Sequence, residues 1–342
     1  MHLVKKIILC TPFNSTWLEP MHKALLKLGF QVQLCDYRNL LGNLKLDPTT
    51  TFSLLLPSLI KAALNPQKGL RFDTLNHMLI SLCHQQKPDY LLVIKGESVT
   101  ATTIDQINQL GVTTLLWQVD PSFHPLIWPL TNTVGRHYHI YITCEPGAVI
   151  TQLKRRGFNR VLYMLGAADG FDLKFLQATP KKYDVTLVGT HHSRREKYLR
   201  ALKGLDVHIW GWGPWQKSSI ASMFEGKALT QAQMRQVYSQ SKIVVNIDRN
   251  PESTIPTNLR AFEAAQVGAF LLTDCKPQLK HVFKLNQEIV CFKSPTDLRR
   301  QVDYYLAHPQ ARRQVAKSMF ARVKKDHTYQ KRLNQLFQTI VA

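Results

Sequence analysis

Short apolar runs alternate with longer amphipathic stretches along the whole chain. Lys5–Thr11, Gln31–Cys35, Tyr90–Ile94, Thr113–Trp117, His139–Thr143 and Arg160–Leu165 are brief and rich in β-branched residues. They read as strands of a parallel sheet buried on both faces. Between them the spacing predicts helices over Trp17–Leu28, Phe52–Asn65, Phe72–Gln86, Ala101–Leu110 and Pro146–Arg155. A Pro/Gly turn joins the second and third, and Gly29, Gly111 and Gly157 stand where helix C-caps belong. The alternation lapses from Gly166 to Lys182 and then resumes. Strands are predicted at Asp184–Val188, Val207–Trp210, Ile243–Asn246, Ala269–Thr273 and Glu288–Phe292. Helices are predicted at Arg194–Leu202, Gln231–Tyr238, Leu259–Val267, Pro295–Ala307, Pro309–Asp326 and Tyr329–Ile340. The expected architecture is α/β: two tandem Rossmann-like doubly wound domains, 1–166 and 183–326, joined by a linker, 167–182. A helical tail, 327–342, follows. Ligands of such sheets bind outside the carboxyl ends of the strands, which here predicts a site in an interdomain cleft.

Composition narrows the class. The 342 residues are 44% hydrophobic and 20% charged, as in a soluble globular protein. Apolar runs such as Phe52–Ile60 and Val112–Trp117 stop well short of the roughly 20 residues of a membrane span. Met1–Leu9 carries Lys5 and Lys6 inside a strand pattern with no cleavage site, so no signal peptide is expected. The six cysteines, Cys10, Cys35, Cys83, Cys144, Cys275 and Cys291, are scattered singly. They read as reduced, buried small hydrophobes of a cytosolic protein. Net charge is +21. Residues 1–170 hold 16 basic and 10 acidic residues, net +6, and the remaining 28 and 13 give +15. Such a field attracts polyanions without choosing among nucleic acid, anionic lipid and phosphorylated small molecules.

Candidate chemistry clusters after predicted strand ends. In Pro256–Asp274, Asn258, Arg260 and Glu263 stand at a loop entering a helix, with Arg260 and Glu263 at i and i+3 on one face. A cation, a carboxylate and a helix N-terminus suit a nucleotide, with N–H groups and Arg for the diphosphate and Glu for ribose hydroxyls. A surface ion pair on an ordinary helix explains them as well. Gly189, Thr190, His191, His192 and Ser193 form a polar loop from a strand into a helix that Ser193 can cap, with Arg194 and Arg195 in its first turn. Two cations there oppose the helix dipole unless an anion docks, although solvated arginines remain the alternative. Gly211 and Trp212 offer close backbone approach and a stacking indole, or loop packing. Asn246, Asp248 and Arg249 leave another strand end, suited to sugar hydroxyls or phosphate. In the first domain Lys95, Glu97 and Asp120 follow strands, and either acid suits an acceptor hydroxyl or proton transfer. A helix cap for Asp120 and a surface turn for Glu97 are the plain alternatives. The chain lacks HExxH, GxSxG and a P-loop, and adjacent His191 and His192 share no face, which argues against zinc.

The order VGTHHSRRE, WGW, KIVVNI, TNLRAFEAAQVGAFLLTD and HTYQKRL, preceded by LLVIKGE, LLWQVD and KRRGFNRVLYMLGAAD, resembles the CgeB-like (spore-maturation) glycosyltransferases over nearly the whole chain. The resemblance implies a GT-B fold, with the donor nucleotide sugar on the C-terminal domain, the acceptor on the N-terminal domain, and a last helix that crosses back to the first domain. It implies that Glu263 holds the donor ribose and that Arg194 or Arg195 neutralises the diphosphate in place of a metal. Arg260, Asn258 and Gly189 become further donor-site groups. Ile255 stands where the wider retaining group often has a second glutamate. The implied reaction moves a sugar, with uridine the commonest base, from a nucleoside diphosphate to a hydroxyl of a glycan, lipid-linked or protein acceptor. It needs no metal and retains configuration. Domain closure would exclude water. The basic surface then implies a cytoplasmic protein peripheral on the inner face of an anionic membrane. The rivals are a nucleic-acid or polyanion binder, a sugar-nucleotide epimerase on the same fold, and an inactive nucleotide-sugar scaffold. No recognised nucleic-acid module supports the first.

Overall fold

A computed structural model describes residues 4–11, 17–36, 66–123, 132–168, 170–171 and 179–341, leaving aside the side chains of 66–72. The chain divides into two compact units, Met1–Leu165 with Arg332–Ala342, and Gly166–Lys331.

In the first unit, β1 (Lys6–Thr11), β2 (Gln31–Asp36), β3 (Tyr90–Ile94), β4 (Thr113–Gln118), β5 (Ile140–Thr143) and β6 (Val161–Tyr163) form a parallel sheet in the order β2-β1-β3-β4-β5-β6. The order reverses at β1 and β3, the switch point of a doubly wound sheet. Helices α1 (Leu18–Lys27), α2 (Pro66–Gln86), α3 (Ala101–Gln109) and α4 (Ala148–Arg155) connect the strands. Fully apolar β3 is buried along its length because helices cover both faces of a parallel sheet. Ile8, Leu79, Leu91, Val93, Ile104 and Leu116 belong to one core cluster. Asn76 of α2 ties this packing to α3: its Oδ1 accepts from Thr100 N at 3.0 Å and from Thr103 Oγ1 at 2.7 Å.

In the second unit, β7 (Tyr183–Val188), β8 (Val207–Trp210), β9 (Ser241–Asn246), β10 (Leu271–Asp274) and β11 (Val290–Phe292) are parallel in the order β11-β10-β9-β7-β8. They alternate with α5 (Ser193–Arg200), α6 (Gln231–Ser239), α7 (Leu259–Gln266), α8 (Pro295–Ala307) and α9 (Pro309–Asp326). The final helix, α10 (Tyr329–Val341), carries Phe337 against Phe30 and Tyr90, with ring centroids 4.5 and 5.1 Å apart.

Several details differ from the sequence pattern. The predicted helix Phe52–Asn65 lies outside the described residues. Helix α2 starts at Pro66 and runs through the expected Pro/Gly turn, since proline fits a helix start and one interior glycine costs only about 1 kcal/mol. Helix α4 starts after Gly147, whose φ is +64°, so Pro146 precedes the helix instead of opening it. The cysteine reading needs correction: Cys275 and Cys291 are joined in a disulfide. Strand pairing brings them together, because Thr273 registers with Cys291 and Cys275 N donates to Phe292 O at 3.0 Å. The resulting Cα separation, 4.8 Å, lies within disulfide reach. The other four cysteines are buried and form no disulfide among the described residues.

Candidate functional site

The carboxyl edge of the second sheet is built first from glycine. A Cβ on Gly189 would overlap the Arg195 guanidinium, and one on Gly211 (φ +148°) would overlap the Gly189 carbonyl. The protein's own backbone therefore requires glycine at 211 whatever ligand approaches, whereas a side chain at 189 would have to displace the Arg195 guanidinium. Trp215, fully buried, donates Nε1–H to Gly189 O at 3.2 Å, whereas Trp212 is 66% exposed. The loop ends at α5, and its N-cap is His192, not Ser193. His192 retains extended backbone (φ −158°, ψ 156°), and its Nδ1 accepts from Arg195 N at 3.2 Å.

The arginines of α5 are already engaged. Arg194 grips Asp274 through Nη2 at 2.5 Å and Nη1 at 3.1 Å, and Nη1 also donates to Asp248 O at 2.8 Å. Its guanidinium lies 4.5 Å from the centre of the Tyr198 ring. Arg195 donates Nε–H to Ile247 O at 2.9 Å and Nη1–H to Thr190 O at 2.6 Å. Burial, reinforced by the neighbouring Arg260 charge, pulls its pKa down to about 10, which leaves it charged at neutral pH. Sequence reasoning missed two groups behind them. Asp274 accepts from Asp248 N as well as from Arg194, and buried Lys276 pairs with Asp248 and donates to Ile255 O at 3.1 Å. These residues cap β9 and β10 and meet only through strand pairing, so no local spacing signals them. Arg249 is exposed, and its guanidinium makes no hydrogen bond or ion pair among the described residues.

Helix α7 completes the edge. Asn258 is its N-cap: Oδ1 accepts from Arg260 N at 3.0 Å, and Nδ2 donates to Asn246 Oδ1 at 3.1 Å. Asn246 in turn donates to Thr273 Oγ1 at 3.0 Å. Both asparagines thereby brace the framework. Arg260 forms an ion pair with Glu263 Oε2 and reaches Met234 Sδ at 3.1 Å. Burial lowers the Arg260 pKa, but Glu263 outweighs it and the net direction is up. Glu263 is only 7% exposed, and its Oε1 is shielded from solvent with no hydrogen-bond partner among the described residues. His192 Nε2 is likewise shielded and has no partner among the described residues.

In the first unit, Lys95 and Gly96 follow β3 with φ of +66° and +71°. A lysine in the left-handed region is uncommon and marks a backbone held by its surroundings. Lys95 Nζ lies 2.8 Å from Asp120 Oδ2 and 3.9 Å from Glu97 Oε1, so the three candidate residues of this unit form one cluster. No described helix starts at Asp120, so it is not the helix cap that its position permits. Glu145, after β5, was missed; it is buried and accepts from Ser122 N at 2.6 Å. Among the described residues no group of three His, Cys, Asp or Glu is placed to hold a metal ion.

Residues 194–338, fewer than half of the chain, match the protein-family model described as Glycosyl transferase-like. Each unit is a Rossmann-like domain, and the chain has the GT-B fold of the solved structures it resembles. Sucrose-phosphate synthase from Thermosynechococcus elongatus shares it at 12% identity over 98% of this chain and 99% of that one, with a TM-score of 0.66. HepE from Anabaena in complex with UDP-glucose matches at 10% identity, 98% and 99% coverage and a TM-score of 0.64. The α,α-trehalose 6-phosphate synthase from Burkholderia multivorans matches at 10% identity, 98% and 96% coverage and a TM-score of 0.60. Among proteins of curated function, none matches this sequence.

Proposed function

We propose that the protein is a glycosyltransferase of the CgeB-like type. It moves a sugar from a nucleoside-diphosphate sugar, UDP-linked by preference, to a hydroxyl of a glycan, lipid-linked or protein acceptor. The reaction retains configuration and needs no metal. The observation that carries this reading is Glu263, a buried carboxylate with Oε2 satisfied by Arg260 and Oε1 without a hydrogen-bond partner among the described residues. Buried polar atoms are nearly always hydrogen-bonded, and leaving one unpaired costs about 1–3 kcal/mol. A ribose hydroxyl supplies the missing donor. The shielding means that a ligand reaches Oε1 only after covering side chains turn aside.

In this reading the second unit holds the donor and the first holds the acceptor near Lys95, Glu97 and Asp120. The nucleoside diphosphate is the leaving group. Charge developing on it as the glycosidic bond loosens is met by the N-terminus of α5 and the cations around it. The bound UDP-glucose named for the Anabaena HepE structure supports the choice of donor class. A thermal-shift comparison of UDP, GDP, ADP and their sugars, with magnesium or with EDTA, tests the proposal. One base is expected to raise the melting temperature selectively and equally in EDTA, because a ligand of the native state alone stabilises it. A uniform rise with every polyphosphate, abolished by modest salt, overturns it.

A further inference from the structure

His192 occupies the N-cap of α5 by an unusual means. Its Nδ1 accepts the Arg195 N–H at 3.2 Å, so Nδ1 presents a lone pair and the neutral ring carries its proton on Nε2. That Nε2–H is a donor shielded from solvent, with no acceptor among the described residues. Burial lowers the ring's pKa, the charges of Arg195, Arg249, Arg194 and His191 lower it further, and it falls to about 3. The imidazole therefore stays neutral at physiological pH, surrounded by positive charge. Such a position favours an anion that accepts a hydrogen bond, and it disfavours proton transfer from the ring.

The neighbouring cations sharpen this. Arg194 is committed to Asp274 and the Asp248 carbonyl, and Arg195 to the Ile247 and Thr190 carbonyls. Among the described residues His192 Nε2–H and the exposed Arg249 guanidinium, by contrast, have no hydrogen-bond partner. We propose that His192 Nε2–H donates a hydrogen bond to the diphosphate of the nucleotide donor, beside the N-terminus of α5. The proposal rests on the donor-site reading of the second unit, and it gives His192 a binding role that the arginines of α5 do not fill.

Calorimetric titration of the full chain with UDP and with uridine tests it. Asparagine at this position keeps an oxygen able to accept the Arg195 N–H, since Asn is a good N-cap, but places no donor where Nε2 stands. His192→Asn is expected to bind UDP about tenfold more weakly, the loss of one hydrogen bond to a charged group, while uridine affinity stays unchanged. His192→Gln, whose longer amide carries a donor further out, is expected to recover part of that loss. Wild-type UDP affinity in both variants overturns the proposal, as does an equal fall for UDP and uridine, which would mean a merely structural cap. A wild-type chain that binds no UDP overturns the donor-site reading itself, and this inference with it.

Discussion

Arg194 binds both oxygens of Asp274, a carboxylate whose side chain is 5% exposed, and the two residues are 80 apart in sequence. In the sequence it looks like a cation waiting for a phosphate; in the fold it is a strut between α5 and the end of β10. Removing one member of such a buried pair strands the other, at a cost of about 3 kcal/mol. Arg194→Ala is therefore expected to lower the unfolding free energy read from urea denaturation by about that amount, with a correspondingly lower midpoint, and to weaken donor binding only as a consequence. Lysine should restore little, because it cannot reproduce the two-pronged grip. An unchanged midpoint with lost turnover would return Arg194 to the ligand. Glu263 shows the opposite case. Its i, i+3 partner was visible in the sequence, but the orphaned Oε1 depends on burial that no local pattern reveals.

At the scale of elements, the period of apolar residues located the strands and most helices to within a residue or two, because parallel strands buried on both faces leave a strong signature. The helix starts were read less well. Ser193 has the preferred N-cap chemistry, yet His192 takes the role because the backbone turns helical one residue earlier. The Cys275–Cys291 link escaped notice because it follows the register of β10 and β11 and no spacing motif. Edge strand β8 carries a titrating element of its own. His208 lies with Nδ1 2.6 Å from Glu225 and Nε2 2.8 Å from Asp206, so the protonated ring donates to both carboxylates, and it stacks on Trp210. Burial lowers its pKa, but the two carboxylates outweigh burial and the net direction is up. A raised folded-state pKa means stabilisation that is complete below the unfolded value, about 6.5, and lost as pH rises through the folded one. Urea midpoints measured from pH 5.5 to 8.5 should fall across that window, and the part due to His208 should vanish in His208→Gln. A wild-type slope retained in the variant would refute this assignment.

Across the whole molecule, each unit has its own apolar core, and every donor-side candidate lies in the second unit. Helix α10 begins in the second unit, and from Arg332 onward the chain belongs to the first. Among the described residues no helix is long and apolar enough to cross a membrane. The net charge of +21 draws any polyphosphate, so affinity for one is no proof of a nucleotide site. The decisive measurement must separate the nucleoside from the charge. It is the calorimetric titration of wild type and Glu263→Gln with UDP, uridine and pyrophosphate at 0.15 M salt, an ionic strength that screens exposed charges over about 8 Å. The account predicts that the variant loses about tenfold in affinity for both UDP and uridine, because a charged acceptor of ribose hydroxyls has become neutral, while pyrophosphate binding is unaltered. Unchanged uridine affinity, or an equal loss for all three, would contradict it.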